Sequence, residues 1–199
     1  LPCLRLLMDE SIDISSGIQY NASVLLSILK DPRSTEILLK AMELFPLRYS
    51  KIRENLIYAL GSIREKKAVK SIAQVLEDRE EISPSPGLRD ENSLPLLEQK
   101  KEALWSLGKI GLESIAHLST LIRYAEHPSE KLKTCLAWAL GEIGNAQKEN
   151  LGGVSADIVI SLLNLLKTRN RQTFEETVSA LKKIDIPEFT HSLYLYNIG

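Results

Sequence analysis

The chain has 199 residues, of which 44% are hydrophobic, and this apolar content suffices for the core of one or two globular domains. Its 25 Lys and Arg residues nearly balance 26 Asp and Glu residues, and the net charge of −1 argues against whole-chain attraction to nucleic acid or anionic lipid. No apolar run reaches the roughly 18 residues of a membrane span, and two cysteines exclude a disulfide framework. We therefore expect no membrane association and a cytoplasmic location. Because the first residue is Leu1, we expect a segment of a longer protein.

The composition and the spacing of apolar residues predict an all-helical chain. Leucine supplies 34 residues and valine only 6, which favours helices over strands. Apolar residues recur at steps of three and four, as in Ile52, Leu56, Leu60 and Ile63, which is typical of a helix buried along one face.

The predicted elements in chain order are a short leading helix from Cys3 to Glu10 and then five pairs of antiparallel helices. The pairs are about Ile18–Leu29 with Ser34–Phe45, Ser50–Arg64 with Lys67–Asp78, Glu98–Ile110 with Leu112–Glu126, Ser129–Ile143 with Ser155–Thr168, and Arg171–Ile184 with Pro187–Asn197. Two segments interrupt them. We expect mobile insertions at about 79–97, which contains two Ser-Pro steps, and at about 145–154, which contains a glycine pair.

One hexapeptide recurs in the first helix of the pairs: YALGSI at 58–63, WSLGKI at 105–110, WALGEI at 138–143 and, in altered form, SALKKI at 179–184. The aligned positions are Gly61, Gly108, Gly141 and Lys182, and Ser27 occupies the same position in a fainter copy. The intervals of 34, 47, 33 and 41 residues are typical of stacked helical hairpins with insertions. We predict an α-α superhelix, or solenoid, of about five hairpins in one domain over residues 1–199.

The glycines of the hexapeptide also have a packing explanation. A residue without Cβ late in the first helix lets the neighbouring helix cross closely. Gly111 and Gly144 follow the hexapeptide in two copies, and they favour a tight turn into the second helix.

These segments resemble HEAT-type helical repeats, most closely the short HEAT-like repeats of the phycobilisome lyase family. The resemblance rests on three stretches: Ile52 to Ile63, Lys100 to Gly111 and Lys133 to Gly144. The last repeat departs from the pattern at Phe174, Lys182 and Asp185, as is typical of a terminal repeat. The resemblance implies a solenoid whose second helices line a concave face. It also implies, as an alternative function, a bilin lyase or phycobilisome-associated factor that binds a linear tetrapyrrole.

The second helices of a solenoid present one residue row to the concave face. Alignment of their apolar pairs places mostly uncharged side chains there, and the predicted row comprises Lys40, Lys70, Gln74, His117, Thr120, Ile160 and Asn164. This second-helix row suits a protein or peptide partner that is bound along its length by hydrogen bonds. The alternative is that these side chains are simply solvated.

Two further sets recur once per repeat in the first helices. Tyr58, Trp105 and Trp138 lie three residues before the aligned glycine and form a predicted aromatic column, which either packs between helices or binds a partner. The basic residues Arg53, Lys100 and Lys133 lie eight before it. We expect them to pair with acidic groups of neighbouring repeats; anion binding is the alternative.

The sequence contains no arrangement that predicts chemistry. The three histidines have no Cys or His partner at metal-ligand spacing, and the glycines end helices instead of opening a phosphate-binding loop. We therefore predict no metal, no cofactor and no enzymatic activity. The predicted function is a scaffold for protein–protein interaction, with DNA binding the weakest alternative on charge grounds.

Overall fold

The computed structural model describes residues 5–6, 17–45, 50–77 and 93–185. Within these ranges the chain is helical and no residue forms a strand. The α-helices are α1 Ile18–Leu29, α2 Thr35–Leu44, α3 Ser50–Ile63, α4 Val69–Glu77, α5 Ser93–Ile110, α6 Leu118–Ile122, α7 Glu130–Leu151, α8 Ala156–Leu165 and α9 Arg171–Ile184. Odd-numbered helices are the first members of the predicted pairs and even-numbered helices the second members. The predicted all-α fold, an α-α superhelix of helical hairpins, is confirmed.

Each first helix of the early repeats ends at a residue with a left-handed backbone. Lys30, Arg64 and Gly111 have φ angles of 50°, 58° and 80°. A short 3-10 turn then leads into the second helix. Two of these turns are capped by an acidic side chain: Asp31 accepts a hydrogen bond from the backbone N–H of Arg33, and Glu65 accepts one from the backbone N–H of Lys67. This combination reverses the chain within a few residues, as a helical hairpin requires.

The chain divides into two compact units, Leu1–Ser106 and Leu107–Gly199, with the division inside α5. The core of the first unit consists of aliphatic side chains from both members of each pair. Its fully buried members include Leu26, Leu38, Leu56, Ile57, Leu60, Ile72 and Leu104.

The second unit has a core of the same kind, contributed by α6, α7, α8 and α9 together with the end of α5. Its buried members include Leu107, Leu121, Leu132, Leu136, Leu140, Ile143, Leu162 and Leu181. Leucine dominates both cores because it packs well between helices at the i, i+3 and i+4 positions.

The aligned glycines lie where successive first helices approach closely, as predicted. A Cβ on Gly61 would lie 2.6 Å from the Cα of Ser106, and one on Gly141 would lie 2.9 Å from the Cα of Ala180. Within the second unit, a Cβ on Gly108 would lie 3.0 Å from the Cα of Ala139. Ordinary van der Waals distances for a Cβ are 3.4 to 4 Å. Only a residue without a side chain permits these crossings.

The structure corrects the prediction for the second insertion. Residues 145–151 continue α7 to Leu151, so they are helical and not a loop. Gly144 lies inside this helix, where a Cβ would be 2.8 Å from Cδ1 of Ile184; it allows close packing and does not form a turn. The sequence NAQKENL is rich in good helix formers, and the helix ends only at Gly152, which has a φ of 73°.

Other predicted boundaries differ less. Residues 93–97, which were predicted to belong to the first insertion, form the start of α5. The rest of that insertion, the last predicted helix Pro187–Asn197, and the leading helix apart from residues 5–6 lie outside the described residues.

Candidate partner-binding surface

The second helices of the first unit expose one polar face. Along α4, Val69, Ile72 and Val75 are buried, whereas Lys70 and Gln74 are exposed. This separation follows from the helical period, which returns every third or fourth residue to the core. Lys40 is likewise exposed on α2. All three members of the second-helix row in this unit are therefore accessible to a partner.

The second unit contains the other members of the row. On α8, Ile160 is 55% exposed and Asn164 is exposed, while Ile158 and Leu162 are buried in the core. The Oδ1 atom of Asn164 accepts a hydrogen bond of 2.9 Å from Nζ of Lys167. His117 is half-buried at the end of the 3-10 segment Leu112–His117.

The prediction for Thr120 is wrong, because its side chain is buried with only 7% exposed. The second helix of this repeat is not continuous: α6 lies between the 3-10 segments Leu112–His117 and Arg123–Glu126. A 3-10 segment turns about 120° per residue, compared with about 100° in an α-helix, so alignment by helical period assigns the wrong face. Thr120 belongs to the packed face of α6, together with Leu118 and Leu121.

The predicted aromatic column is in part an observed contact. In the first unit the rings of Tyr58 and Trp105 are stacked, with centroids 4.8 Å apart and planes 10° from parallel. Nζ of Lys30 lies 5.7 Å from the centroid of the Tyr58 ring, within range of a cation–π interaction. Both rings are half-buried, so the stack joins α3 to α5 and also reaches the surface.

In the second unit Trp138 covers the glycine of the previous first helix. Its Cζ3 atom lies 2.6 Å from where a Cβ of Gly108 would be, and Nζ of Lys109 lies 5.4 Å from the ring centroid. The indole is half-buried. The two tryptophans therefore have packed faces of different composition, one against tyrosine and one against a glycine.

The recurring basic position has a structural role at Arg53, although its acceptors are not those expected. This guanidinium, only 9% exposed, donates through Nη1 to the carbonyl oxygens of Met42 and Phe45 at 3.0 and 2.8 Å. Its Nε donates to Oε1 of Gln99 at 3.0 Å. Arg53 thus satisfies carbonyls at the end of α2, which have no partner within the helix.

Lys133 also differs from the expectation, because it pairs with Glu130 of its own helix at 2.5 Å. Glu130 accepts further hydrogen bonds from the hydroxyls of Thr168 and Thr173, which belong to later elements of the unit. These contacts lower the pKa of the Glu130 carboxyl, with the hydrogen bond from Lys133 as the largest cause. Lys100, the third member of the set, is half-buried on α5.

One carboxyl group is unfavourably placed. Glu102 on α5 is half-buried, and desolvation raises its pKa; Glu54 and Glu98 add to the rise, whereas Lys101 and Lys51 oppose it. Lys51 and Lys101 are themselves bound to Glu54 and Glu98, at 2.7 and 2.5 Å. Burial near a carboxylate pair therefore destabilises the charged form of Glu102.

The small residues that face the glycines were not among the predicted site residues. Ser106, Ala139 and Ala180 each lie two positions before the next aligned glycine or its Lys182 replacement, and all three are buried. The sequence pattern that indicates them is the second residue of the hexapeptide, which is always Ala or Ser.

Within the described ranges, no three His, Cys, Asp or Glu side chains are grouped so as to hold a metal ion. None of the helices described above is both long and apolar enough to span a bilayer.

The fold is similar to that of an engineered protein from the Northeast Structural Genomics Consortium, with a TM-score of 0.59 and 19% identity over 92% of this chain and 78% of that chain. A second engineered protein from the consortium has a TM-score of 0.55 and 19% identity over 92% of this chain and 46% of that chain. A designed armadillo repeat protein in complex with the peptide (KR)4 has a TM-score of 0.49 and 13% identity over 92% of this chain and 98% of that chain. No protein-family model and no curated protein matches the sequence. At these identities the likeness is one of fold alone.

Proposed function

We propose that this chain is a non-enzymatic scaffold of HEAT-like repeats that holds a partner protein or peptide on its second-helix row. The observation that carries the proposal is the exposure of Lys40, Lys70 and Gln74 on consecutive second helices whose other faces are buried. Packing of the helices fixes the backbone positions of these side chains before a partner arrives, so that less entropy is lost on binding.

The chemistry of the row favours a peptide backbone or an amphipathic helix as partner. Gln74 and Asn164 offer amide groups, Lys40 and Lys70 offer ammonium groups, and Ile160 offers an apolar contact. Amides both donate and accept, and they therefore match the alternating groups of an extended peptide. We place this activity in the cytoplasm, in keeping with the half-buried thiol of Cys135.

The charge distribution supports a protein partner over a nucleic acid. The net charge is −1, and Lys67, a cation beside the row, is paired with Glu36 at 2.9 Å. A nucleic-acid site of this size would require a continuous basic stripe.

A display selection with random peptides tests the proposal. Binding of the enriched peptides is then measured for the Gln74→Ala/Asn164→Ala double variant and for the control Asn150→Ala/Gln172→Ala, which removes the same groups from exposed positions outside the row. We expect the first variant to weaken binding by about tenfold or more, since two amide hydrogen bonds are lost, with an unchanged melting temperature. Equal binding by both variants, or a selection without enrichment, would contradict the proposal.

The tetrapyrrole alternative rests on the resemblance alone and has a separate test. Titration with a linear tetrapyrrole, followed by its absorbance and by tryptophan fluorescence, reports on Trp105 and Trp138. An unchanged spectrum up to tens of micromolar, a range that spans weak ligand affinities, would dismiss that alternative.

A further inference from the structure

Helix α1 carries a stripe of apolar side chains that solvent reaches. Ile18, Leu25, Ile28 and Leu29 are between 39% and 66% exposed. The buried residues of this helix are Gln19, Ala22, Ser23, Leu26 and Ser27, and Ser23 and Ser27 lie opposite the exposed residues. We call the exposed residues Ile18, Asn21, Leu25, Ile28 and Leu29 the α1 stripe.

In every later repeat the positions equivalent to Leu25 are buried. They hold Ala59, Ser106, Ala139 and Ala180, each at most 3% exposed. Three of these residues lie against a glycine of the preceding first helix: Ser106 against Gly61, Ala139 against Gly108 and Ala180 against Gly141. Leu25 therefore occupies a position at which one first helix packs on the preceding one.

The equivalents of Ile18 agree with this assignment. They are Ile52, Gln99, Leu132 and Thr173, and all four are buried. Two of them contact the previous first helix directly: Gln99 accepts from Arg53, and the hydroxyl of Thr173 lies 2.9 Å from that of Thr134. Before Gly17 the structure describes only Arg5 and Leu6, both helical, and the exposed aliphatic side chains of the stripe have the composition of a helix-packing face.

We propose that the α1 stripe binds the same stripe of a second copy of this chain. Its residues are spaced three, four and three apart from Ile18 through Asn21 and Leu25 to Ile28, which is the pattern of a coiled-coil seam. The twelve residues of α1 include no charged side chain, so two copies meet without like-charge repulsion. An apolar face that is complementary to itself closes into a two-fold dimer.

Stacking of one copy on the end of another is less well matched. The forward-facing positions of α9, the last described first helix, carry Glu175 and Lys182, both exposed. Lys182 replaces the glycine against which, in the earlier repeats, the next first helix packs. A charged surface of this kind does not complement the apolar α1 stripe, which favours a closed dimer over an open filament.

The size of the stripe sets the expected strength of the dimer. Four aliphatic side chains about half exposed present on the order of 300 to 400 Å² of apolar surface per copy, which lies below the roughly 800 Å² per partner of a standard stable interface. We expect a weak, reversible dimer with a dissociation constant on the order of 10 to 100 μM.

Sedimentation velocity on the full chain, from about 5 to about 500 μM, covers this range of affinities. We expect a shift from monomer to dimer as concentration rises. Leu25→Glu should abolish the shift, because it places two like charges in the seam, whereas the matched control Leu151→Glu, at the exposed end of α7, should not. Asn21→Leu should tighten the dimer by about tenfold, since a polar seam residue weakens association.

Three results would overturn the proposal. The first is a monomer at all concentrations; if Leu25→Glu then also lowers the melting temperature, the stripe is covered within its own chain. The second is a dimer that Leu25→Glu leaves unchanged, which would indicate a different interface. The third is growth beyond the dimer with concentration, which would indicate head-to-tail stacking.

Discussion

The close approach of α7 and α9 at Gly141 predicts that a single added methyl group destabilises the fold. In Gly141→Ala the new Cβ would lie 2.8 Å from Cβ and 2.9 Å from Cα of Ala180. Ordinary van der Waals separation begins at 3.4 Å, so the backbone of Ala180 must move away by about 0.5 Å, the difference between 3.4 and 2.9 Å. One of the two atoms in the way is the backbone Cα of Ala180, so no change of side-chain rotamer can relieve the contact.

The expected effect combines two opposing contributions. Overpacking of a close-packed core costs about 1 to 3 kcal/mol, whereas replacing glycine by alanine inside a helix stabilises it by about 1 kcal/mol. The net destabilisation of Gly141→Ala is therefore up to about 2 kcal/mol, which lowers the melting temperature by about 2 to 4 °C for each kcal/mol in a chain of this size. Circular dichroism during urea and thermal unfolding measures both quantities.

A double-mutant cycle with Ala180→Gly isolates the steric contribution. Removing the Cβ of Ala180 relieves one of the two short distances, so Gly141→Ala should cost less in that background, with a coupling free energy of about 0.5 kcal/mol or more. Gly153→Ala is the control, because nothing lies within 4 Å of its added Cβ. A coupling free energy of zero would refute the close-approach explanation.

Two further predictions concern single side chains of the first unit. Arg53→Met leaves the carbonyls of Met42 and Phe45 without their buried donor and should lower the free energy of unfolding by about 2 to 4 kcal/mol in urea; a loss below about 1 kcal/mol would contradict this role. Folding raises the pKa of the Glu102 carboxyl above its ordinary value of 4.5, so the folded state favours the protonated carboxyl. The stability that Glu102 contributes is therefore fully present below pH 4.5 and is lost as the pH rises through the pKa of the folded state. Glu102→Gln should therefore melt higher than the wild type at about pH 7 and equally near about pH 4, and a lower melting temperature at neutral pH would contradict the assignment.

Much of the helical organisation could be predicted from local sequence. The bounds predicted for α1 and for α9, Ile18–Leu29 and Arg171–Ile184, are those observed. Apolar residues at helical spacing and the residues that end helices act over a few positions along the chain. The repeated hexapeptide likewise indicated the close helix crossings, because a glycine at the same position in successive repeats implies the same steric constraint.

Tertiary packing decided the features that depend on distant residues. Ile184 of a later helix packs over Gly144, a contact that no pattern in the sequence near Gly144 indicates. Thr120 is buried because the 3-10 segments on either side of α6 change the direction in which its side chains point.

The sequence by itself therefore determined that the described chain is helical, the bounds of α1 and α9, and the glycine positions at which first helices cross closely, since each is encoded by residues a few positions apart or by a repeated pattern. Only the tertiary structure decided which acceptors Arg53 reaches, that Tyr58 stacks on Trp105, and that the α1 stripe remains open to solvent. These outcomes depend on distances between helices that are remote in sequence, and a one-dimensional pattern does not contain those distances.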